Sequence, residues 1–303
     1  MIARTQRWIL ALLLLAAGAW AAVLATRGAF GIALIGALAI LNTQPGLIAI
    51  EYLVLMPYAN RRDPTHSPGL RQRLVAWWRE SWTAHAVFSW RQPFRENAES
   101  DGLDPVAHAG RHALVLVHGF FCNRGLWNPW MRRLRERGIP FVAITLEPAY
   151  GSIDEYVHAV DGAIERAWQA TGVAPVIAAH SMGGLAVRAW WRARGTEGDE
   201  RVSHVLTVGT PHCGTLTAYF AKGLNARQMR PGSSWLSQLA ADEPPARYAR
   251  FTCFYSDCDN ISMPAATATL SGADNRHVPG QPHVALVYAQ AVFEEALRRS
   301  QSA

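Results

Sequence analysis

Hydrophobic positions along the chain fall into three regimes. The first is unbroken. Trp8 to Thr26 carries no charge and is nearly all Ala, Leu, Val, Ile and Gly. A second apolar stretch, Ala29 to Met56, follows at once, interrupted by Asn42, Gln44, Pro45, Gly46 and Glu51. The second regime is helical. In LRQRLVAWWRESWTAHAVF (70–88), Leu70, Leu74, Trp77, Trp78 and Trp82 recur near helical spacing with arginines between them. The third begins near residue 112, where short continuous apolar runs alternate with helix-length amphipathic segments. ALVLVHGFF, IPFVAITL (139–146), APVIAAH (174–180), SHVLTVGT (203–210) and RFTCFYS (250–256) read as strands buried on both faces. Ser152 is placed to cap a helix whose apolar stripe is Ile153, Tyr156, Val157, Val160, Ile164 and Trp168. Further helices are expected from Ser181 to about Arg194 and from about Ala285 to Arg299. Such alternation predicts an α/β fold with a mostly parallel sheet and helices on both faces. Ligands in sheets of this kind bind beyond the carboxyl ends of the strands. Here those ends carry polar or glycine-rich clusters: HGFF, EPAYG, HSMGG, GTPHCGT and SDCDN.

The N-terminal runs are membrane material. At 1.5 Å per residue, Trp8–Thr26 reaches roughly 29 Å, about the hydrocarbon thickness of a bilayer. Arg4 and Arg7 precede it as they would precede a signal peptide, but the run is longer than a signal h-region. The expected organisation is a membrane anchor over 1–60, with transmembrane segments at about 8–26 and 29–56. An Arg/Trp-rich juxtamembrane segment over 61–105 and a catalytic domain over 106–303 follow. Glu51 fits the second span poorly, because an ionised carboxylate in hydrocarbon is costly; it belongs near an interface, or the span ends earlier. Helix 70–88 either packs on the domain or lies at the lipid surface with Trp at head-group level. Arg4 and Arg7 before the first segment, and Arg61, Arg62, Arg71, Arg73 and Arg79 after the second, put both chain ends in the cytoplasm of a bacterial-type inner membrane. If only the first segment spans, the domain is periplasmic.

Composition narrows the function classes. The 303 residues carry a net charge of +6, almost wholly from arginine, which does not suggest a nucleic-acid partner. The four cysteines, Cys122, Cys213, Cys253 and Cys258, show no CxxC spacing, so no metal site is expected.

Candidate chemistry gathers at the strand ends. VIAAHSMGG (176–184) sets Ser181 at a strand-to-helix junction among small neighbours. A nucleophilic hydroxyl needs such a sharp turn to stand clear of the backbone, and small residues let the flanking chain approach closely. Gly183 supplies one of them; Ala179 stands where the G-x-S-x-G pattern has its first glycine. The helix start offers the Met182 amide to negative charge, and the turn at His118-Gly119 aims the Phe120 amide at the same place, a two-donor oxyanion hole. His118 and His180 read as structural neighbours rather than bases, and His212 and Cys213 likewise. His283, after a Gly/Pro loop and before the last helix, is the preferred base, with His277 the alternative. Asp259 is preferred over Asp257 as the acid that orients it.

LVHGFF, AAHSMGGLAVRAW, TVGTPHCGT, ARQMRPGSSWLSQL and DNISMP…PHVAL together resemble the bacterial lipase branch of the α/β-hydrolase fold superfamily, which includes triacylglycerol lipases and PGAP1-like esterases. The resemblance covers about 112–298 and no part of the N-terminus. It implies Ser181, Asp259 and His283 as nucleophile, acid and base, the Phe120 and Met182 amides as oxyanion donors, and no metal or organic cofactor. The reading it supports is a membrane-anchored serine esterase or lipase acting on acyl or lipid esters. An acyltransferase or thioesterase on the same triad, and a catalytically silent membrane scaffold, are the alternatives. Only residues 216–249 separate GTPHCGT from the acid-bearing strand, which leaves little room for a large lid.

Overall fold

The computed structural model describes residues 1–63 and 67–301. Residues 64–66 and 302–303, within the expected juxtamembrane and catalytic segments, and the side chain of Arg62, counted above among the orienting arginines, lie outside the described residues. Six strands form one all-parallel sheet in the order β2-β1-β3-β4-β5-β6. They are β1 (Leu114–Val117), β2 (Phe141–Ile144), β3 (Val176–His180), β4 (His204–Val208), β5 (Phe251–Tyr255) and β6 (Asp274–His277). Every apolar run read as a strand is one. The register sets Val117 beside Ile144 and Ala179, and His180 beside Val208, so the carboxyl ends finish together.

Strand side chains alternate between faces. Val115, Val117, Ile177 and Ala179 join a core covered by the helices Val157–Thr171 and Met182–Arg194. Leu114, Leu116, Ala178 and Leu206 join a second core under Asn128–Glu136 and Gln290–Gln301. Two sealed faces explain the unbroken apolar runs. Ser152 caps as expected: its hydroxyl accepts from the Asp154 amide, Glu155 accepts from the Ser152 amide at 2.8 Å, and Ile153, Tyr156, Val160 and Ile164 are buried beneath. The last helix differs from expectation, breaking into a turn at His283–Leu286 and the helix Gln290–Gln301.

β6 escaped the sequence reading for a physical reason. It is the edge strand, pairs only with β5, and reads DNRH with no apolar residue. Hydrophobic pattern detects burial, and an exposed edge has none to detect.

At the N-terminus the helix Ile2–Ala25 is long and apolar enough to cross a bilayer by itself. The second apolar stretch is bent: Phe30–Leu41 and Thr43–Ala59 meet at 65°. Phe30–Leu41 packs back along the first helix, but its twelve residues reach only roughly 18 Å. Beyond Asn42 the chain leaves the hairpin and packs on the body, where Ile48, Tyr52 and Met56 are buried with Ala76, Ala84, Cys258 and Met263. The Tyr52 hydroxyl donates to the Cys258 carbonyl at 2.9 Å. Glu51 therefore lies against the protein body, bonded to Asn260, and Phe30–Leu41 and Thr43–Ala59 are long and apolar enough for one span only when taken together across the bend.

Candidate active site

Ser181 sits between β3 and the helix Met182–Arg194 with φ +55° and ψ −131°. Positive φ in a residue with a Cβ costs of order 1–3 kcal/mol, so the surrounding chain must enforce it. Three close approaches do. The Ser181 amide bonds to the Val208 carbonyl at 2.9 Å, extending the β3–β4 ladder. A Cβ on Gly183 would lie 2.5 Å from the His118 carbonyl, and one on Gly119 would lie 2.6 Å from Ser181 Cβ. Both glycines are thus required by contact. Ala179 is fully buried between Val117 and Thr207 of the adjoining strands.

His118 is a strut. Its Nε2 accepts from the Leu146 amide at 2.9 Å, which leaves Nδ1 to donate to the Gly119 carbonyl at 2.8 Å. Burial pushes it down to about 4, so it stays neutral and locks the β1 turn to the end of β2. Phe120 follows, and then Phe121 at φ +54° turns the chain away. Met182 is the first residue of its helix, so no intrahelical carbonyl reaches its amide.

Asp259 and His283 are paired. Both carboxylate oxygens lie 2.9 Å from His283 Nδ1. Oδ1 of Asp259 also accepts from the amides of Ile261 and Ser262, at 2.9 and 2.7 Å, which fixes the carboxylate. Gly209, at φ +58°, passes beneath the pair; a Cβ there would stand 2.8 Å from the carboxylate. Burial alone would lower the His283 value, but the Asp259 carboxylate, with Glu80 and Glu51 behind it, raises it above its ordinary one. His180 packs against it with ring centroids 4.6 Å apart, and its Nε2 faces the His283 carbonyl at 3.2 Å. Buried and held well below its ordinary value by burial, His180 is a neutral neighbour.

Ser181 and His283 line one cavity of about 290 Å³, with Phe120, Phe121 and His180. Among the described residues no hydrogen bond joins Ser181 Oγ to the imidazole; such contacts are often long before substrate binds. A second cavity of about 500 Å³ also reaches Ser181 and Phe120, walled by Met229, Ala218 and Phe220. Leu47, Glu51 and Ile261 border both, so the serine stands where the two chambers meet. The alternative pair, Asp257 and His277, lines neither. Those two residues instead face each other at 3.4 Å on the outer side of the sheet.

His212 is likewise structural, its Nε2 beside Thr207 Oγ1 at 3.0 Å and its carbonyl bonded to the buried Arg188. Cys213 is exposed and unpaired with another cysteine.

Sequence reasoning missed the supports that come from outside the body. Asn260 donates to Glu51 at 2.6 Å and receives the Tyr52 hydroxyl at 3.1 Å and the His283 amide at 3.3 Å. Glu80 accepts the amides of Val284 and Ala285 at 2.8 and 3.2 Å. The signals were faint: one carboxylate in an apolar run, and one lone acid among arginines.

A parallel α/β sheet whose central strand ends in a positive-φ serine, beside a buried imidazole–carboxylate pair, defines the α/β-hydrolase class. Residues 114–300 match the alpha/beta hydrolase family, and the chain belongs to that family. In shape it is similar to the mature Bacillus licheniformis lipase BlEst2, with TM-score 0.55 and 16% identity over 63% of this chain and 92% of that one. The propeptide form of the same lipase gives TM-score 0.56 and 18% identity, covering 66% of this chain and 53% of that one. Aspergillus fumigatus lipase B gives TM-score 0.52 and 16% identity, covering 61% and 51%. At these identities the likeness carries the fold alone. No curated protein sequence matches this one.

Proposed function

We propose that the protein is a membrane-anchored serine hydrolase that cleaves carboxylic esters, acyl or lipid, through Ser181, His283 and Asp259. The observation that carries this reading is the junction at Ser181. There, an elbow serine opens on two largely apolar chambers, one of them also lined by His283, whose imidazole is paired with the buried Asp259. The names of the structural neighbours, lipases from two organisms, point the same way.

In the proposed cycle, His283 Nδ1–H stays bonded to Asp259 while Nε2 takes the Ser181 proton. The freed oxygen attacks the ester carbonyl, and the Phe120 and Met182 amides receive the developing oxyanion. His283 returns the proton to the departing alcohol, leaving an acyl-enzyme. Water, deprotonated by the same imidazole, then releases the carboxylic acid and restores the serine. The larger chamber, with Leu47, Ile50 and Met229 on its wall, suits an acyl chain. A fluorophosphonate probe is expected to label the wild type and to leave Ser181→Ala unlabelled; undiminished labelling of the variant would remove the nucleophile.

The proposed anchor is a hairpin of the helix Ile2–Ala25 and the bent return arm, two crossings that with the arginine distribution favour the catalytic body on the cytoplasmic side of a bacterial-type inner membrane; a single crossing by Ile2–Ala25 alone would leave it periplasmic. A periplasm-dependent reporter fused after residue 303 stays silent on this reading, and activity there overturns it.

A further inference from the structure

One face of the helix Leu70–His85 supports the site through Glu80; the opposite face is bare. Leu74, Trp78 and Trp82 are exposed, Trp82 by 61%. The chain continues through Ala86–Arg91 to Trp90 and Phe94, exposed as well. Trp78 pairs with Trp82 at 5.7 Å and with the half-buried Trp77 at 6.3 Å, Trp90 pairs with Phe94 at 5.8 Å, and among the described residues Trp78, Trp82, Trp90 and Phe94 join no buried cluster. Amphipathic rings of this kind collect at membrane–water boundaries.

Charge on the segment has one sign. From residue 67 to residue 95 the chain has Arg71, Arg73, Arg79, Arg91 and Arg95, and its single acid, Glu80, is buried against the His283 turn. Position adds a second constraint. Gln92 is buried and receives Gln6 of the helix Ile2–Ala25 at 2.6 Å, while Trp77 donates to the Pro45 carbonyl at 2.9 Å. The aromatic segment is therefore tied to the first arm of the N-terminal hairpin and to the chain just past the bend of the second. At that level Arg7 and Arg95, neither in an ion pair among the described residues, line a polar groove of about 440 Å³ with Glu96 and Asn97. If the uncharged run from Trp8 fills the hydrocarbon, Arg7 stands among the head groups, and Arg95 stands with it.

We propose that the exposed face of residues 70–95 is a second membrane contact, seated in the head-group layer of the bilayer that Ile2–Ala25 crosses. Its Trp and Phe rings reach the upper acyl chains, and its exposed arginines Arg71, Arg79 and Arg95, with Arg7, rest on the phosphates of anionic lipid, while Arg73 and Arg91 turn inward to the Tyr52 carbonyl and the Tyr288 ring. The inference builds on the reading of Ile2–Ala25 as an anchor. It also gives the site an orientation. Ala84 and Phe88, on the inner side of the same segment, line the cavity that holds Ser181, together with Gln44 and Leu47 at the base of the hairpin. One wall of the catalytic chamber would thus rest on the lipid surface.

The test uses the full chain in vesicles of phosphatidylcholine and phosphatidylglycerol. Nitroxide labels are placed singly through Trp78→Cys and Trp90→Cys, with Gln169→Cys as an exposed control, all in a Cys213→Ser background. Power saturation compares access to oxygen with access to a water-soluble nickel complex. The expected result is an oxygen-to-nickel ratio several-fold higher at 78 and 90 than at 169, falling when phosphatidylglycerol is omitted. Nickel access equal to the control, in protein that resists alkaline carbonate extraction, overturns this contact and leaves the anchor standing. Release by carbonate overturns the anchor reading itself. Shielding from both reagents means that a second copy covers the face, which also overturns the proposal. Two label positions keep the test decisive if one variant fails to fold.

Discussion

Two histidine–aspartate pairs stand side by side at the end of β5, and they differ in nearly everything except composition. In the Asp259–His283 pair the side chains are 2% and 5% exposed, both carboxylate oxygens lie 2.9 Å from the ring nitrogen, and the imidazole opens on the chamber of Ser181. In the Asp257–His277 pair the contact is 3.4 Å and the His277 side chain is 34% exposed. Asp257 Oδ1 is already engaged by the Gly280 amide at 2.7 Å. His277 Nε2 receives the Asp257 amide, and its ring stacks on Tyr255 at 5.1 Å on the sheet edge. The outer pair closes a loop; the inner pair presents its imidazole to the cavity that Ser181 also lines. Pairing alone therefore identifies no site. What favours the inner pair in the proposed reading is burial, a shared cavity with Ser181 and a net rise in the imidazole's affinity for protons.

The comparison breaks most sharply at the acids. Asp259→Asn is expected to lower kcat by roughly 10⁴, since the amide favours the wrong imidazole tautomer while leaving the fold intact. Asp257→Asn keeps an oxygen for the Gly280 amide, and should hold kcat/KM within about threefold, less than ~1 kcal/mol of transition-state energy. Ester turnover of the two variants decides the matter, and the reverse ranking would exchange the roles of the pairs. The pH profile sharpens it further. His283 must be neutral to accept the serine proton, so activity climbs as pH rises through its raised value, above the ordinary 6.5. Without the Asp259 charge the lowering effect of burial meets less opposition, and the limb in Asp259→Asn moves to lower pH. In Asp257→Asn it stays where it was.

How much of this could be read from residues alone follows from how local each feature is. The strands Leu114–Val117 through Phe251–Tyr255 were legible because two buried faces demand continuous apolar sequence. The Ser181 elbow was legible because a tight turn demands small neighbours within three residues. The choice of Asp259 over Asp257 was harder, since both end the same strand and only the path of the chain to His283 separates them. The N-terminal supports were beyond local pattern. Glu80 meets the Val284 amide across 204 residues, and Glu51 meets Asn260 across 209. The larger chamber shows the same reach: Leu47, Ile50 and Leu55 from the N-terminal segment share its wall with Ala218, Phe220 and Met229. Glu51 did announce itself as a charge that lipid would not tolerate, and it lies bonded to Asn260 of the body.

Glu80 offers a smaller way to test what sets the inner pair apart. Its carboxylate accepts the first two amides after His283, and burial pushes it up to about 7. Above that pH it is anionic and, with Asp259, favours positive charge on the imidazole. In Glu80→Gln one oxygen remains to accept a backbone amide, while the other amide loses its acceptor and the charge is gone. A loss of one charge-assisted bond at a positioning residue is expected to lower kcat/KM by about tenfold, well short of Asp259→Asn. Two readouts separate charge from mere bracing. The acid limb of the pH profile should move to lower pH, because one source of support for the imidazolium is removed. Stability should also change shape. A carboxyl raised from 4.5 to about 7 contributes stability that is whole below 4.5 and lost as pH climbs through about 7. The glutamine does not titrate, so thermal melts of the variant should be flatter across that window than those of the wild type. An unmoved limb with reduced turnover would mean that Glu80 only holds the backbone after His283, and that Asp259 alone tunes the base.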